Sequence, residues 1–177
     1  IISRIIILVQ DIIVKNSEAV IVPTNFIRRY VLALNANNEK IFFIPNGVDL
    51  QVFNWREKSS YKSELNIEDK EVCLYFGRLD KWAGIHILHE VSSIFEQKRA
   101  DIRFLVAGSG SKETDFPKNV IVVKEVPHYK VPRIIAVADI VLVPFPENEV
   151  SHAASPLKLL EAMAMRKPVV ASKVSGI

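Results

Sequence analysis

Apolar residues along this chain fall into two patterns, and the contrast between them sets the expected fold. Short continuous apolar runs, rich in Val and Ile, recur at residues 19–22, 41–44, 72–76, 102–106, 120–123, 140–143 and 168–171. Runs of that length without alternation read as strands buried on both faces. Between them the spacing turns helical at residues 25–34, opened by Thr24, and again at 85–97, 129–138 and from Ser155-Pro156 to Arg166-Lys167. Strands separated mostly by helices predict an α/β protein with a doubly wound parallel sheet. The runs at 102–106 and 120–123 are joined by a Gly/Ser/Lys-rich loop with no room for a full helix. Residues 50–66 are irregular and polar, with Trp55 and Tyr61 as isolated anchors and one helical turn near Ser60. Pro45-Asn46-Gly47 reads as a sharp turn, and a domain boundary is expected there, dividing residues 1–45 from 46–177.

Residues 1–14 form an apolar helix that begins without a cap, and the chain has no initiator Met. The last strand runs out at Ser175-Gly176-Ile177 with no closing helix. Both ends therefore lead us to expect a piece of a larger protein. Arg4, Gln10 and Asp11 interrupt the first helix well short of the ~20 residues a membrane span needs, and packing in a core is its expected role.

Composition narrows the classes. The 177 residues are 49% hydrophobic, ample for a core, and the formal charge of +3 is not gathered into blocks. No nucleic-acid partner is implied by charge. The single cysteine, Cys73, sits in an apolar strand pattern and is expected to pack rather than react, which excludes a disulfide framework and favours the cytoplasm.

In doubly wound sheets ligands bind beyond the carboxyl ends of the strands, so the loops leaving them hold the candidate chemistry. The loop after residues 72–76 reads Gly77-Arg78-Leu79-Asp80-Lys81-Trp82-Ala83-Gly84 and sets a guanidinium and an ammonium before a helix start, an arrangement suited to a diphosphate. The same residues also fit a plain turn with solvated charges. The loop Ala107-Gly108-Ser109-Gly110-Ser111 could let backbone pass close to a ligand, but Glu113 stands where a dinucleotide fingerprint needs its third glycine, and no Lys-Ser or Lys-Thr ending makes a phosphate loop. A third loop, 144–154, carries Glu149 and His152. At SPLKLLEAMAMRKPVVAS, Ser155 is expected to cap the helix and Pro156 to take its first position, leaving exposed amides beside Lys158 as an anion site. Glu161, one turn on, lies on the same stripe and could reach ligand hydroxyls, although a solvated Lys158–Glu161 pair explains it equally well. His86 and His89 lack a third ligand, and no metal site is expected.

Taken in order, PNGVD, YFGRL with a following glycine, FLVAGSG, ADIVLVPF and SPLKLLEAMAMRKPVVAS resemble the family four retaining glycosyltransferases of the GT-B fold, over residues 19 to 177. That resemblance implies two Rossmann-like domains facing across a cleft. Residues 1–45 would be the tail of the acceptor-side domain, and 46–177 most of the domain that binds a nucleotide-sugar donor. It implies that Arg78 contacts the donor diphosphate between Gly77 and Gly84, and that Glu161 holds the ribose. Gly47 would lie near the donor, and the Ser155-Pro156-Leu157-Lys158 helix start would face the phosphates. The chain departs from the family at two points. The lysine usually found before the second glycine is Ala83, with Lys81 two residues away, and the acid eight positions before Glu161 is Ala153, with Glu149 or His152 on the same loop.

The implied function is transfer of a hexosyl-type group, with retention, from a UDP- or GDP-sugar to a sugar, lipid-linked or other acceptor bound mostly by the other domain. No cofactor is implied beyond the nucleotide-sugar as substrate. The location expected is cytoplasmic, with peripheral contact at the cytoplasmic face of a membrane compatible with the first helix. Two other readings stay open: a nucleotide-sugar epimerase of the same fold, and a non-catalytic nucleotide-sugar-binding domain.

Overall fold

The computed structural model describes residues 2–110, 115–124 and 126–177. Ile1, Ser111 and Glu113, named above, lie outside the described residues. In chain order the elements are α1 (Ile2–Asn16), β1 (Val20–Val22), α2 (Asn25–Ala33), β2 (Ile41–Phe43), α3 (Tyr61–Glu64), β3 (Glu71–Phe76), α4 (Ile85–Lys98), β4 (Ile102–Ala107), β5 (Val120–Val123), α5 (Val131–Ala136), β6 (Ile140–Val143), α6 (Glu149–Ala153), α7 (Leu157–Ala164) and β7 (Val169–Ala171). They fall into two compact units. One is formed by Ile1–Asn46, Asn148–Ser155 and Val174–Gly176, the other by Gly47–Glu147, Pro156–Lys173 and Ile177.

In the first unit, β1 and β2 pair in parallel, Val20 opposite Ile41 and Val22 opposite Phe43. The Thr24 hydroxyl caps α2 as its residue type predicts, accepting from the Ile27 N–H at 3.1 Å. Helix α1 differs from expectation. Ile5, Ile6, Ile7, Leu8, Val9, Ile12 and Ile13 each remain about half-exposed, because a two-stranded sheet and two short helices offer too little surface to cover a helix apolar all round. Among the described residues no helix is long and apolar enough to cross a membrane.

The second unit is the doubly wound sheet that the apolar runs predict. Its five strands are all parallel, in the order β5-β4-β3-β6-β7. The chain therefore starts at the centre with β3, steps outward twice, and returns to the other side with β6 and β7. Side chains alternate across it with a period of two. Val72, Leu74 and Phe76 of β3 and Leu105 of β4 join Ile134, Ile135, Val141, Ala162 and Met165 in one core, so α5 and α7 cover that face. Tyr75, Phe104 and Val106 join Ile85 and Leu88 of α4 on the other. Both faces are buried at β3 and β4, which is why those strands are continuously apolar, whereas the edge strands β5 and β7 stay partly open, with Val170 59% exposed.

Three local expectations change. The helix expected at 129–138 starts as a 3-10 turn at His128–Lys130 and becomes α-helical only over α5, because Pro132 has no N–H to donate and is tolerated only in a first turn. The loop 144–154 contains α6, whose start is capped by the Asn148 side chain accepting from Ser151 N–H at 3.0 Å. Pro45-Asn46-Gly47 forms no turn, and Gly47 is absent from the left-handed region. The chain bends later, where the Asp49 carboxylate accepts from Gln51 N–H at 2.8 Å and the Asp49 carbonyl from Phe53 N–H at 2.8 Å.

Candidate functional site

The strand order reverses between β3 and β6, and in a doubly wound sheet the carboxyl ends of the strands at that point are where a ligand is expected. Residues 77–84 leave β3 at this point. Gly77 and Gly84 both take left-handed φ values, 125° and 86°. At Gly84 the reason is also steric, since a Cβ there would stand 1.7 Å from the Pro144 carbonyl oxygen beyond β6. Gly108 and Gly110 serve the same loop. A Cβ at Gly108 would meet the Gly77 carbonyl oxygen at 1.9 Å, and one at Gly110 would crowd Leu79 at 2.7 Å. With those side chains missing, Gly77 N–H donates to Ala107 O at 2.9 Å and Leu79 N–H to Ser109 O at 3.0 Å. The two glycines thus seat the β4 loop against the β3 loop, a role their sequence pattern left open.

Arg78 is mostly exposed, and its Nε donates to Asp80 Oδ2 at 2.7 Å. That contact steadies the guanidinium while its terminal nitrogens make no hydrogen bond among the described residues. Lys81 is exposed, whereas Ala83 is buried against the loop. The second cation comes from elsewhere. Lys158, in the first turn of α7, extends its ammonium to within 3.0 Å of where a Gly77 Cβ would be. It lies over the Tyr75 ring at 4.2 Å and the Phe145 ring at 5.7 Å. Burial there pushes its pKa down to about 8, against the opposing pull of the Glu161 carboxylate.

Tyr75 is fully buried and links the two cations. Its ring carries Lys158, and its hydroxyl donates to the Arg78 carbonyl. Burial also raises that phenol well above its ordinary range. Trp82 stacks on Phe145, with centroids 6.5 Å apart and planes at 14°, closing the aromatic wall. The sequence left Tyr75 and Phe145 as strand and loop filler. The signal available was the aromatic pair Tyr75-Phe76 just before Gly77, which alternation sends to opposite faces of the sheet, and Phe145 just after β6.

The start of α7 departs from expectation. Pro156 is the N-cap residue, with φ −73° and ψ 115°, and no side chain caps the helix. Ser155 is not the cap, because Pro156 itself is extended and the helix begins one residue later; the Ser155 carbonyl accepts from Asn46 Nδ2 at 3.0 Å within the first unit. The first helical residue is Leu157, half-exposed, followed by Lys158. The uncapped first-turn amides and the nearby ammonium give this end of α7 a positive bias. Glu161, one turn on, is buried with 8% of its surface exposed, and its Oε1 lies 3.4 Å from His128 Nε2. His128 was not singled out by sequence.

Glu149 and His152 belong to the first unit. Glu149 lines a cavity of about 510 Å³ between α2 and α6 with Phe26, Arg29, Tyr30, Val150 and Ala153. His152 stacks on Phe26 at 6.0 Å, and its Nδ1 accepts from Ser175 N–H at 3.0 Å. Gly47 lies in open space, with nothing near its Cα to demand a glycine. His89 contacts the Asp115 carbonyl through Nε2 at 3.0 Å, and among the described residues no three His, Cys, Asp or Glu side chains gather into a metal-binding group. Trp55 is flanked by the guanidinium carbons of Arg166 at 4.0 Å and Arg56 at 5.0 Å.

Comparison with known proteins follows the same lines. Residues 70–177 match the family model described as glycosyl transferases group 1, more than half of the chain. Among curated proteins, the chain is 29% identical over 157 residues to the D-inositol 3-phosphate glycosyltransferase of Segniliparus rotundus, covering 80% of this chain and 34% of that protein. It is 28% identical to the lipopolysaccharide 1,2-N-acetylglucosaminetransferase of Salmonella typhimurium, covering 92% and 46%. The chain thus spans about a third to a half of these relatives. Among solved structures, Anabaena Alr3699/HepE in complex with UDP-glucose superimposes with a TM-score of 0.74 at 21% identity, over 98% of this chain and 50% of that one.

Proposed function

The chain belongs to the group 1 glycosyl transferases, and from that premise we propose that its second unit binds the nucleotide part of a nucleoside-diphosphate-sugar, as the donor side of a GT-B glycosyltransferase. The observation that carries this is the meeting of Lys158 with the Gly77–Arg78 loop at the reversal of strand order. Arg78 follows β3 and Lys158 reaches the same loop from α7, and two cations gathered at one loop suit the two phosphates of a diphosphate better than a single carboxylate. Arg78, Lys158 and the amides at the start of α7 would stabilise the charge that grows on the leaving diphosphate as the glycosyl bond breaks. Glu161 would accept hydrogen bonds from the ribose hydroxyls. In this reading Lys158 supplies the cation missing at Ala83, and Lys81 is dispensable.

The complete protein would transfer a hexosyl-type group, with retention of configuration, to a sugar or lipid-linked acceptor held by residues on the side of the first unit. Glycan assembly in the cytoplasm, at or near the cytoplasmic face of a membrane, is the setting that fits this chemistry. A second reading, a nucleotide-sugar-binding domain without turnover, is favoured by Ala153, which lines an apolar cavity where the resemblance expects an acid. Conversion of any acceptor by the longer protein would discard it.

Calorimetric titration of the chain with UDP and GDP tests the binding claim. We expect one of the two to bind, and binding of neither to a folded sample would overturn the reading. The Arg78→Ala variant should weaken diphosphate binding by about tenfold or more, as expected for a lost charged hydrogen bond, while binding of the bare nucleoside changes by less than about twofold. Equal losses for both ligands would count against the assignment of Arg78.

A further inference from the structure

Glu161 is nearly enclosed, yet the side chain that touches its carboxylate is itself largely open to solvent. The His128 side chain is 71% exposed and that of Glu161 11%, with Nε2 and Oε1 3.4 Å apart. Two contacts fix the imidazole. One is that carboxylate, and the other is the ring of Phe53, which meets it edge-on with centroids 5.5 Å apart and planes at 70°. Phe53 is itself 3% exposed and part of the larger core. His128 opens the 3-10 turn that follows β5 and precedes Pro132, so its backbone is tied to the start of α5. A rigid platform therefore holds an imidazole nitrogen against one oxygen of a buried carboxylate, 33 residues away in sequence.

We propose that His128 is a positioning residue for Glu161, and that it confers selectivity for a nucleotide whose ribose carries vicinal hydroxyls. The proposal rests on the nucleotide reading of this site. A carboxylate has about four acceptor positions on its two oxygens. An imidazole N–H donating to Oε1 uses one of them and stops rotation of the carboxylate plane, leaving Oε2 and the remaining lone pair aimed in fixed directions. Two neighbouring hydroxyls are the donor pair that such a fixed fork matches. With the imidazole removed, the carboxylate would still be present but would lose the one side-chain contact that sets its plane among the described residues, and the cost would fall on the hydroxyl contacts.

Binding of UDP and of 2′,3′-dideoxyuridine diphosphate, measured in parallel on the chain and its variants, separates this role from a structural one. His128→Ala should weaken UDP binding by about three- to tenfold, the range of a single hydrogen bond, and leave the dideoxy ligand within about twofold. His128→Gln, whose amide can place an N–H near the position of Nε2, should recover most of the loss. Because the imidazole is mostly exposed, neither variant opens a cavity, and unchanged melting temperatures would verify that both fold. Equal weakening of the two ligands, or no weakening of either, would overturn the positioning role while leaving the nucleotide reading intact. Failure of the wild-type chain to bind any nucleoside diphosphate would overturn both together.

Discussion

Lys158 is the residue on which the site turns, because its half-buried side chain lays the ammonium against two aromatic faces, with no carboxylate within ion-pair distance among the described residues. The Tyr75 face at 4.2 Å offsets part of the lost hydration, but the balance favours the neutral amine enough to bring the pKa down to about 8. A bound diphosphate would reverse that balance. Binding should therefore be strongest where Lys158 is protonated, hold steady below about pH 8, and weaken as pH rises past it. In the absence of ligand the sign is opposite. The folded state carries the lysine charge at a penalty that is present below about pH 8 and relieved as pH climbs toward the ordinary lysine value of 10.5. Lys158→Met should remove the alkaline fall in diphosphate affinity while lowering affinity at pH 7, and Lys158→Arg should move that fall to higher pH. An unchanged profile in the methionine variant would show that another group titrates.

At the scale of the element, the loops of the second unit are set by backbone packing more than by side-chain chemistry. Gly84→Ala joins a left-handed φ of 86° to a clash with the Pro144 carbonyl, and should destabilise the protein by at least about 2 kcal/mol, seen as a lowered melting temperature. Leu74→Ala, at a fully buried position of the central strand, should cost about 2–5 kcal/mol through its cavity and leave the loop geometry alone. The strands β3 and β4 were legible because burial on both faces writes an unbroken apolar run into the sequence, and β5, β6 and β7 because their runs are as apolar although the sheet's edges stay partly open. Helix ends were less so. Pro156 reads equally well as a first helical residue or as the N-cap, and its observed ψ of 115° makes it the latter. The short α6 was hidden because five residues carry too little periodicity to register, although Asn148 three residues before Ser151 was a usable cap signal.

For the whole molecule, the parallel doubly wound sheet and the loops that bear Arg78 and Lys158 could be read in advance, because alternation of strands and helices implies a parallel sheet and such sheets bind ligands beyond their strands' carboxyl ends. The strand order could not, and neither could the contacts that refine the site. Tyr75 under Lys158 and His128 on Glu161 each depend on side-chain directions across elements, and no spacing in the chain encodes them. Glu149 and His152 illustrate the same point, since their places in the first unit, beside Phe26 and Ser175, could not be inferred from their nearness to Ser155 in sequence. Hydrogen–deuterium exchange of the chain with and without UDP or GDP, read by peptide mass spectrometry, tests the central claim most directly. The account predicts slowed exchange in residues 77–84 and at the first turn of α7, lost in the Arg78→Ala, Lys158→Met double variant. Protection confined to other segments, or protection that survives the double variant, would contradict it.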